Sequence, residues 1–363
     1  MSEAPMRILI AGGGTGGHLF SGIAVAEQFR DRYPGTQILF VGTPFGLEKE
    51  IVPRAGFPLK FIEATPLKGS GIPARIKSLL RLPKAYRQSK QILQEFRPDL
   101  ALGIGGYASG PMTLAAHFAK IPVAIIEQNS IPGFTNRQLG RFADRIFLAF
   151  AKAKEFFPAG KTVLTGNPTR QLGPGVTPTK DPRFTLFIMG GSQGAHALNQ
   201  AMLQALPRLC ETKERLKIYH QTGNQDFSEV ETAYQQAGFA AEVFPFLQDL
   251  GPFYAKSDLM LCRAGAGTIT ELQNLGLPAI LVPYPFAADD HQRYNAEEMV
   301  AADAAEMIAN AALSGEKVAE RLLYYLDHPE SLKEMRRRAQ ALAKPEAARQ
   351  VMEACRELVL RKK

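Results

Sequence analysis

A doubly wound parallel α/β fold, laid down in two successive halves, is what this sequence predicts, on three observations. Short, continuously apolar runs alternate with amphipathic stretches from end to end of the 363 residues. A strand, glycine loop and helix pattern, RILIAGGGTGGH at 7–18, restarts as TLFIMGGSQGAH at 185–196. Between them lies the Pro/Gly/Thr-rich stretch GNPTRQLGPGVTPTKDP, 166–182, with the composition of an interdomain linker.

The strands can be taken in order. In the first half they fall at Arg7 to Ala11, Gln37 to Gly42, Leu59 to Ile62, Leu100 to Ile104, Val123 to Glu127, Arg145 to Ala149 and Thr162 to Thr165. In the second they fall at Phe184 to Met189, Lys217 to Gln221, Glu242 to Phe244, Leu259 to Cys262, Ala279 to Pro283 and Ala305 to Ile308. Each is short and apolar on both faces, and helical stretches separate them, so the sheets are parallel and covered on both sides. Two Rossmann-like domains result, 1–167 and 168–345. The last stretch, 346–363, is helical in pattern and able to pack back on the first domain.

Composition bounds the function. The length suits two domains with separate cores. The longest uncharged apolar run, Leu277 to Ala288, is broken by Pro278, Pro283 and Pro285 and falls short of a bilayer span. Cys210, Cys262 and Cys355 lie far apart without CxxC spacing, so neither a disulfide framework nor a zinc site is expected, and a reducing cytosol fits. The net charge of +8 is unevenly placed, since residues 68–97 carry eight basic side chains against the single acid Glu95, while 168–345 is net acidic at −4. Such asymmetry points to an anionic partner for one face of the first domain.

The glycine loops carry the chemistry. Gly12, Gly14 and Gly17 satisfy GxGxxG, which brings a pyrophosphate to a helix N-terminus, yet the second strand ends Val41-Gly42-Thr43 and lacks the acid that a dinucleotide's ribose requires. GIGGYASGP (103–111), GGSQGAH (190–196) and RAGAGTITE (263–271) repeat the strand-to-glycine-to-helix junction. Four such junctions at strand C-termini, in two facing halves, describe a cleft suited to diphosphates. In the last loop Thr268 is placed to cap a helix, and Glu271, one turn on, to reach a ribose diol; a surface acid favouring the helix dipole is the alternative.

Taken together, GGTGGH (13–18), GTPFGLEKEIVPRAGF (42–57), GIGGYASGP, EQNSIPGFTN (127–136), GNPTR (166–170), GGSQGA, CRAGAGTITEL (262–272) and DDHQRYNA (289–296) resemble the MurG-type N-acetylglucosaminyltransferases of peptidoglycan synthesis, two-domain GT-B enzymes. The resemblance covers nearly the whole chain. Two departures are small: Leu19-Phe20-Ser21 replaces a proline-containing segment, and Ala264 stands where serine is common.

The resemblance implies inverting transfer of GlcNAc from UDP-GlcNAc to the C4 hydroxyl of MurNAc in undecaprenyl-diphosphate-linked muramoyl-pentapeptide, lipid I, giving lipid II and UDP. His18 is the candidate base, imidazole being the side chain whose unperturbed pKa suits proton abstraction near neutrality, and Glu127 is its rival. By match to the family, Thr15, Gly16 and Gly17 lie by the transferred sugar and Asn129 contacts it. Ser192 and Arg170 face the diphosphate or nucleoside, and Leu247 offers backbone groups to uracil. Ala266, Gly267, Thr268, Ile269, Thr270 and Glu271 wrap phosphate and ribose, and Gln292, flanked by His291 and Asn295, holds the GlcNAc hydroxyls. Gly106, Tyr107 and Ser109 are candidates for the acceptor diphosphate. No Asp-x-Asp triplet occurs, so no obligatory metal is expected, Mg²⁺ at most accompanying the phosphates.

The basic window also has an apolar stripe. Ile72, Ile76, Leu79, Leu80 and Pro83 share one helical face, flanked by Arg75, Lys77, Arg81, Lys84 and Arg87, the layout of an interfacial helix on an anionic leaflet. The alternative is a stripe facing the protein core. With a lipid-borne acceptor the expectation is a peripheral protein at the cytoplasmic face of the inner membrane. Nucleic acid is not expected, because only Tyr86 and Phe96 interleave the basic residues. Another GT-B transferase and a UDP-GlcNAc epimerase are the competing enzymes.

Overall fold

The computed structural model describes residues 5–14, 16–64, 71–169 and 181–362, with the backbone alone at 71–81. Two compact units divide the chain: residues 1–171 together with 344–363, and residues 172–343.

In the first unit seven parallel strands, β1 Arg7–Ala11, β2 Gln37–Gly42, β3 Leu59–Phe61, β4 Leu100–Gly103, β5 Val123–Glu127, β6 Arg145–Leu148 and β7 Thr162–Leu164, lie in the order β3-β2-β1-β4-β5-β6-β7. Helices α1 Gly16–Arg32, α2 Glu48–Arg54, α3 Gly71–Phe96, α4 Ser109–Phe118 and α5 Phe134–Leu139 connect them. The two-residue period of a strand assigns side chains to opposite faces. Ile8 and Ile10 pack with Phe40, Leu102, Ile126 and the α1 residues Leu19, Ile23 and Phe29. Leu9 and Ala11 pack on the other face with Val41, Ile125, the α4 residues Met112 and Ala115, and Ile92 and Leu93 of α3. The apolar strands are therefore covered twice, which explains why they read as runs and not as alternation.

The second unit repeats the design with six parallel strands, β8 Phe184–Met189, β9 Leu216–Gln221, β10 Ala240–Phe244, β11 Leu259–Cys262, β12 Ala279–Leu281 and β13 Glu306–Met307, ordered β10-β9-β8-β11-β12-β13. Its helices are α6 His196–Ala205, α7 Phe227–Ala237, α8 Gly251–Lys256, α9 Ala266–Leu275, α10 His291–Val300, α11 Gly315–Asp327 and α12 Pro329–Ala341. The chain then re-enters the first unit as α13 Ala347–Lys362, whose Val351, Met352, Cys355 and Val359 join the core under α1.

Both sheets reverse direction of winding beside their first strand, at β1/β4 and at β8/β11. Ligands of open α/β sheets bind at such points, beyond the strand C-termini. The four glycine loops singled out in the sequence follow these four strands. Among the described residues no helix is long and apolar enough to cross a membrane.

Candidate active site

In the first unit the loops after β1 and β4 touch backbone to backbone. Gly13 N–H donates to Gly105 O at 3.2 Å, and a Cβ on Gly12 would lie 2.3 Å from that same oxygen. One on Gly106 would lie 2.2 Å from Gly13 O, at a φ of +80° that itself favours glycine. These glycines serve close approach. Their amides are also engaged: Gly12 N–H bonds Val41 O at 3.0 Å, and Gly14 N–H bonds the Glu48 carboxylate at 3.0 Å. The loop is therefore not an open phosphate cradle, and only the first turn of α1, beginning at Gly16, presents amides that a helix cannot satisfy itself.

His18 stands in that first turn, half-buried, with its ring against the second loop: a Cβ on Gly105 would lie 3.0 Å from Nε2. Gly16 is half-buried and Gly17 exposed beside it, while Thr15 lies outside the described residues. Tyr107 is exposed, with its ring edge toward Gly14, and Gly106 is half-buried. Ser109 differs from the expectation. It is fully buried in the first turn of α4, its Oγ close to Gly103, so the helix packs it inward where no diphosphate reaches without rearrangement.

Glu127 closes β5 at 2% exposure. Its oxygens accept from Asn129 N–H at 2.9 Å, Asn136 Nδ2 at 2.9 Å and Gly133 N–H at 3.3 Å. Burial outweighs these donors and raises its pKa to about 7. The carboxylate thus organises the 128–136 loop and holds Asn129, which is half-buried, in place. Gln128 ties the same loop to the second glycine loop by donating to Ile104 O at 3.0 Å.

In the second unit, Gly191 to Gly194 form a turn closed by Gly194 N–H to Gly191 O at 2.9 Å, with Ser192 exposed at its tip. A Cβ on Gly194 would lie 1.8 Å from Thr222 O, so this turn rests directly on the backbone after β9. Gln221 joins the segments of Gly191 and Leu247. Its Nε2 donates to Gly191 O at 2.9 Å, and its Oε1 accepts Leu247 N–H at 3.1 Å. Of the backbone groups expected to meet uracil, Leu247 therefore keeps its carbonyl, the N–H being engaged.

Helix α9 starts at Ala266 behind Gly265, the N-cap, without a side-chain cap. Thr268 lies inside the first turn and does not cap; Gly265, in an extended conformation and with no side chain to offer, takes that position. Gly267, Thr268 and Glu271 are half-buried, whereas Ile269 belongs to the buried core and Thr270 folds its hydroxyl back on Ala266 O at 2.8 Å. The side chains of Ile269 and Thr270 thus face away from any ligand. Glu271 accepts from the buried Tyr254 hydroxyl at 2.7 Å, which fixes one of its oxygens.

Gln292 is oriented equally firmly. Its Oε1 accepts Tyr284 N–H at 2.9 Å and Ala264 N–H at 3.2 Å, leaving its amino group as the end for a ligand. Asn295 is buried and donates to Ala264 O at 3.3 Å, and His291 bonds Ala288 O at 2.8 Å. Both flank Gln292 structurally. Arg170 lies outside the described residues, and no group of three metal-ligating side chains occurs among the described ones.

Glu48, Gln221 and Tyr254 are not marked as functional by any sequence pattern. A lone Glu, Gln or Tyr carries no spacing signal, and each acts through a partner far away in the chain.

The N-terminal domain of glycosyltransferase family 28 matches residues 8–148 and its C-terminal domain residues 185–351. The chain is 48% identical to the UDP-N-acetylglucosamine--N-acetylmuramyl-(pentapeptide) pyrophosphoryl-undecaprenol N-acetylglucosamine transferase of Geotalea uraniireducens, over 96% of this chain and 97% of that one. Identity to the protein of the same name from an Anaeromyxobacter species is 48%, over 98% and 94%. The crystal structure of Acinetobacter baumannii MurG superposes with a TM-score of 0.77 at 32% identity, covering 97% of this chain and all of that one.

Proposed function

The chain belongs to glycosyltransferase family 28, and from that membership we infer that it is a UDP-GlcNAc-dependent transferase of two Rossmann-like domains, of the GT-B class. It moves GlcNAc from UDP-GlcNAc to lipid I, forming lipid II in peptidoglycan synthesis. The observation that carries this reading is the 48% identity, over nearly the full length, to enzymes named for that reaction.

We propose the following division of labour. His18, at the start of α1, takes the proton from the acceptor's C4 hydroxyl. The resulting oxygen attacks the anomeric carbon from the face opposite UDP, the bond from that carbon to the β-phosphate oxygen breaks, and its electron pair leaves on the diphosphate. Glu127 holds the loop that presents Asn129 to the sugar, the four hydrogen bonds it accepts supporting a positioning part over that of base. The acceptor's own diphosphate is met by the α1 start with Gly106 and Tyr107.

On the donor side the Leu247 carbonyl reads the N3–H of uracil and Glu271, set by Tyr254, accepts the ribose diol. Ser192, the α9 start and Arg170 stabilise the leaving diphosphate. The Gln292 amino group donates to a GlcNAc hydroxyl. No obligatory protein-bound metal enters, and Mg²⁺ accompanies the phosphates at most. The α3 segment docks peripherally on the anionic cytoplasmic leaflet, where the lipid-borne acceptor resides, and nucleic acid is not a partner.

The test is incubation with labelled UDP-GlcNAc with and without lipid I. Label passing to the lipid only when lipid I is present is the expected result; label changing without acceptor overturns the reading.

A further inference from the structure

Glu48 is a buried carboxylate that the reaction just derived does not use. It opens α2 at 1% exposure. One oxygen accepts both Thr43 N–H and Thr43 Oγ1–H at 2.8 Å, and the other accepts Gly14 N–H at 3.0 Å. Three glycines from two loops shape the space around it. A Cβ on Gly13 or Gly42 would lie 2.5 Å from its side chain, and one on Gly46 2.0 Å from Oε2. Gly42 ends β2, Gly46 lies in the loop after it and Gly13 in the loop after β1, so one carboxylate fastens the two loops together.

We propose that Glu48 is a positioning residue for the acceptor half-reaction, fixing the Gly14 end of the loop that delivers His18. This rests on the reading that the 14–18 loop works on the acceptor. The chemistry calls for two acceptor oxygens pointing in different directions. A glutamine has one. Placed in the same space, it keeps the Thr43 pair and turns its amino group on Gly14 N–H, donor against donor, which unfastens the loop at nearly constant volume.

The experiment measures kcat, the KM of each substrate and UDP-GlcNAc binding by calorimetry for E48Q, H18A, the double variant and T43V. Displacement of a catalytic group by about 1 Å costs about 100-fold, so E48Q is expected to lose about that in kcat, with UDP-GlcNAc binding held within about twofold. T43V, which removes a bond not made to Gly14, should stay within about threefold of wild type. In the H18A background E48Q should cost less than about threefold, because the loop no longer carries its working group. E48Q with wild-type kcat, or an equal loss with and without His18, overturns the proposal. A harmless H18A overturns instead the reading of the loop beneath it. Should E48Q not fold, G46A, whose Cβ meets Oε2, takes its place with the same expectations.

Discussion

Glu127 and Gln292 show how fully a side chain's surroundings set what it can do. Glu127 has its pKa raised from 4.5 to about 7, chiefly by burial. The folded state therefore holds a proton between those values that the unfolded state releases. The stability it contributes is fully present below pH 4.5 and is lost as pH rises through about 7, amounting to about 3 kcal/mol. Denaturant titrations of wild type and Glu127→Gln across that range should diverge by this amount, the wild type losing ground as pH rises; a constant offset would refute the assignment. Gln292→Glu keeps both backbone acceptor bonds, loses the amino donor and adds a negative charge at that end, so the lost hydrogen bond sets the lower limit of its effect. Its KM for UDP-GlcNAc should rise at least about tenfold, the worth of one good hydrogen bond of about 1.4 kcal/mol. An unchanged KM would remove Gln292 from the sugar site. Sequence pointed to both residues through their motifs, but the orientation of the amide was invisible there, since it depends on Ala264 and Tyr284 amides brought up by separate strands.

The β-α junctions were legible because glycine marks them and continuous apolar runs precede them. What each junction holds was less so. Gly12 and Gly14 read as phosphate-binding, whereas they spend their amides on Val41 and Glu48, tertiary pairings with no local trace. Ser109 read as a ligand and packs inward, because a helix start decides by its phase which side chain faces the core. The turn after β8 provides a test of close approach. Gly194→Ala places a methyl against Thr222 O at φ +76°, and a loss of about 3 kcal/mol or more, read from urea unfolding, is expected. Near-wild-type stability would mean the two backbones separate freely.

Helix α3 divides in two. From Ala85 onward Ala85, Ser89, Ile92 and Leu93 are buried on the sheet, so that stripe serves the core. The stripe of Ile72, Ile76, Leu79 and Leu80 lies where side chains are not described, and its membrane part is the proposal above. Lys84 is exposed and pairs with Glu63 at 2.7 Å, a surface contact of little strength. At about 1 kcal/mol for each basic residue near an anionic surface, converting Arg75, Lys77, Arg81 and Lys84 to Gln should weaken binding to anionic vesicles by roughly 1,000-fold. UDP-GlcNAc affinity should not move. Vesicle binding that survives the change would retire the docking role.

At the scale of the whole molecule, the chain builds most of one unit, then all of the other, and completes the first with α13. Val351, Met352, Cys355 and Val359 are buried beneath α1, each worth about 1.5–3 kcal/mol, together a large part of a domain's stability of about 5–15 kcal/mol. A chain ending at Ala343 should keep UDP-GlcNAc binding in its intact second unit and lose the cooperative unfolding transition of the first. Two undiminished transitions in calorimetry would contradict this. The sequence showed a helical tail able to pack on the first domain but not which residues it would meet there, because an amphipathic stripe says that a face is buried and not against what.

The position of α13 also orders events on the ribosome. β1 emerges about 340 residues before the helix that covers its core face, a delay on the order of tens of seconds during synthesis. Through that interval the second unit can finish folding while the first remains open along one apolar side. A nascent chain cut short before α13 would leave that side uncovered and open to proteases.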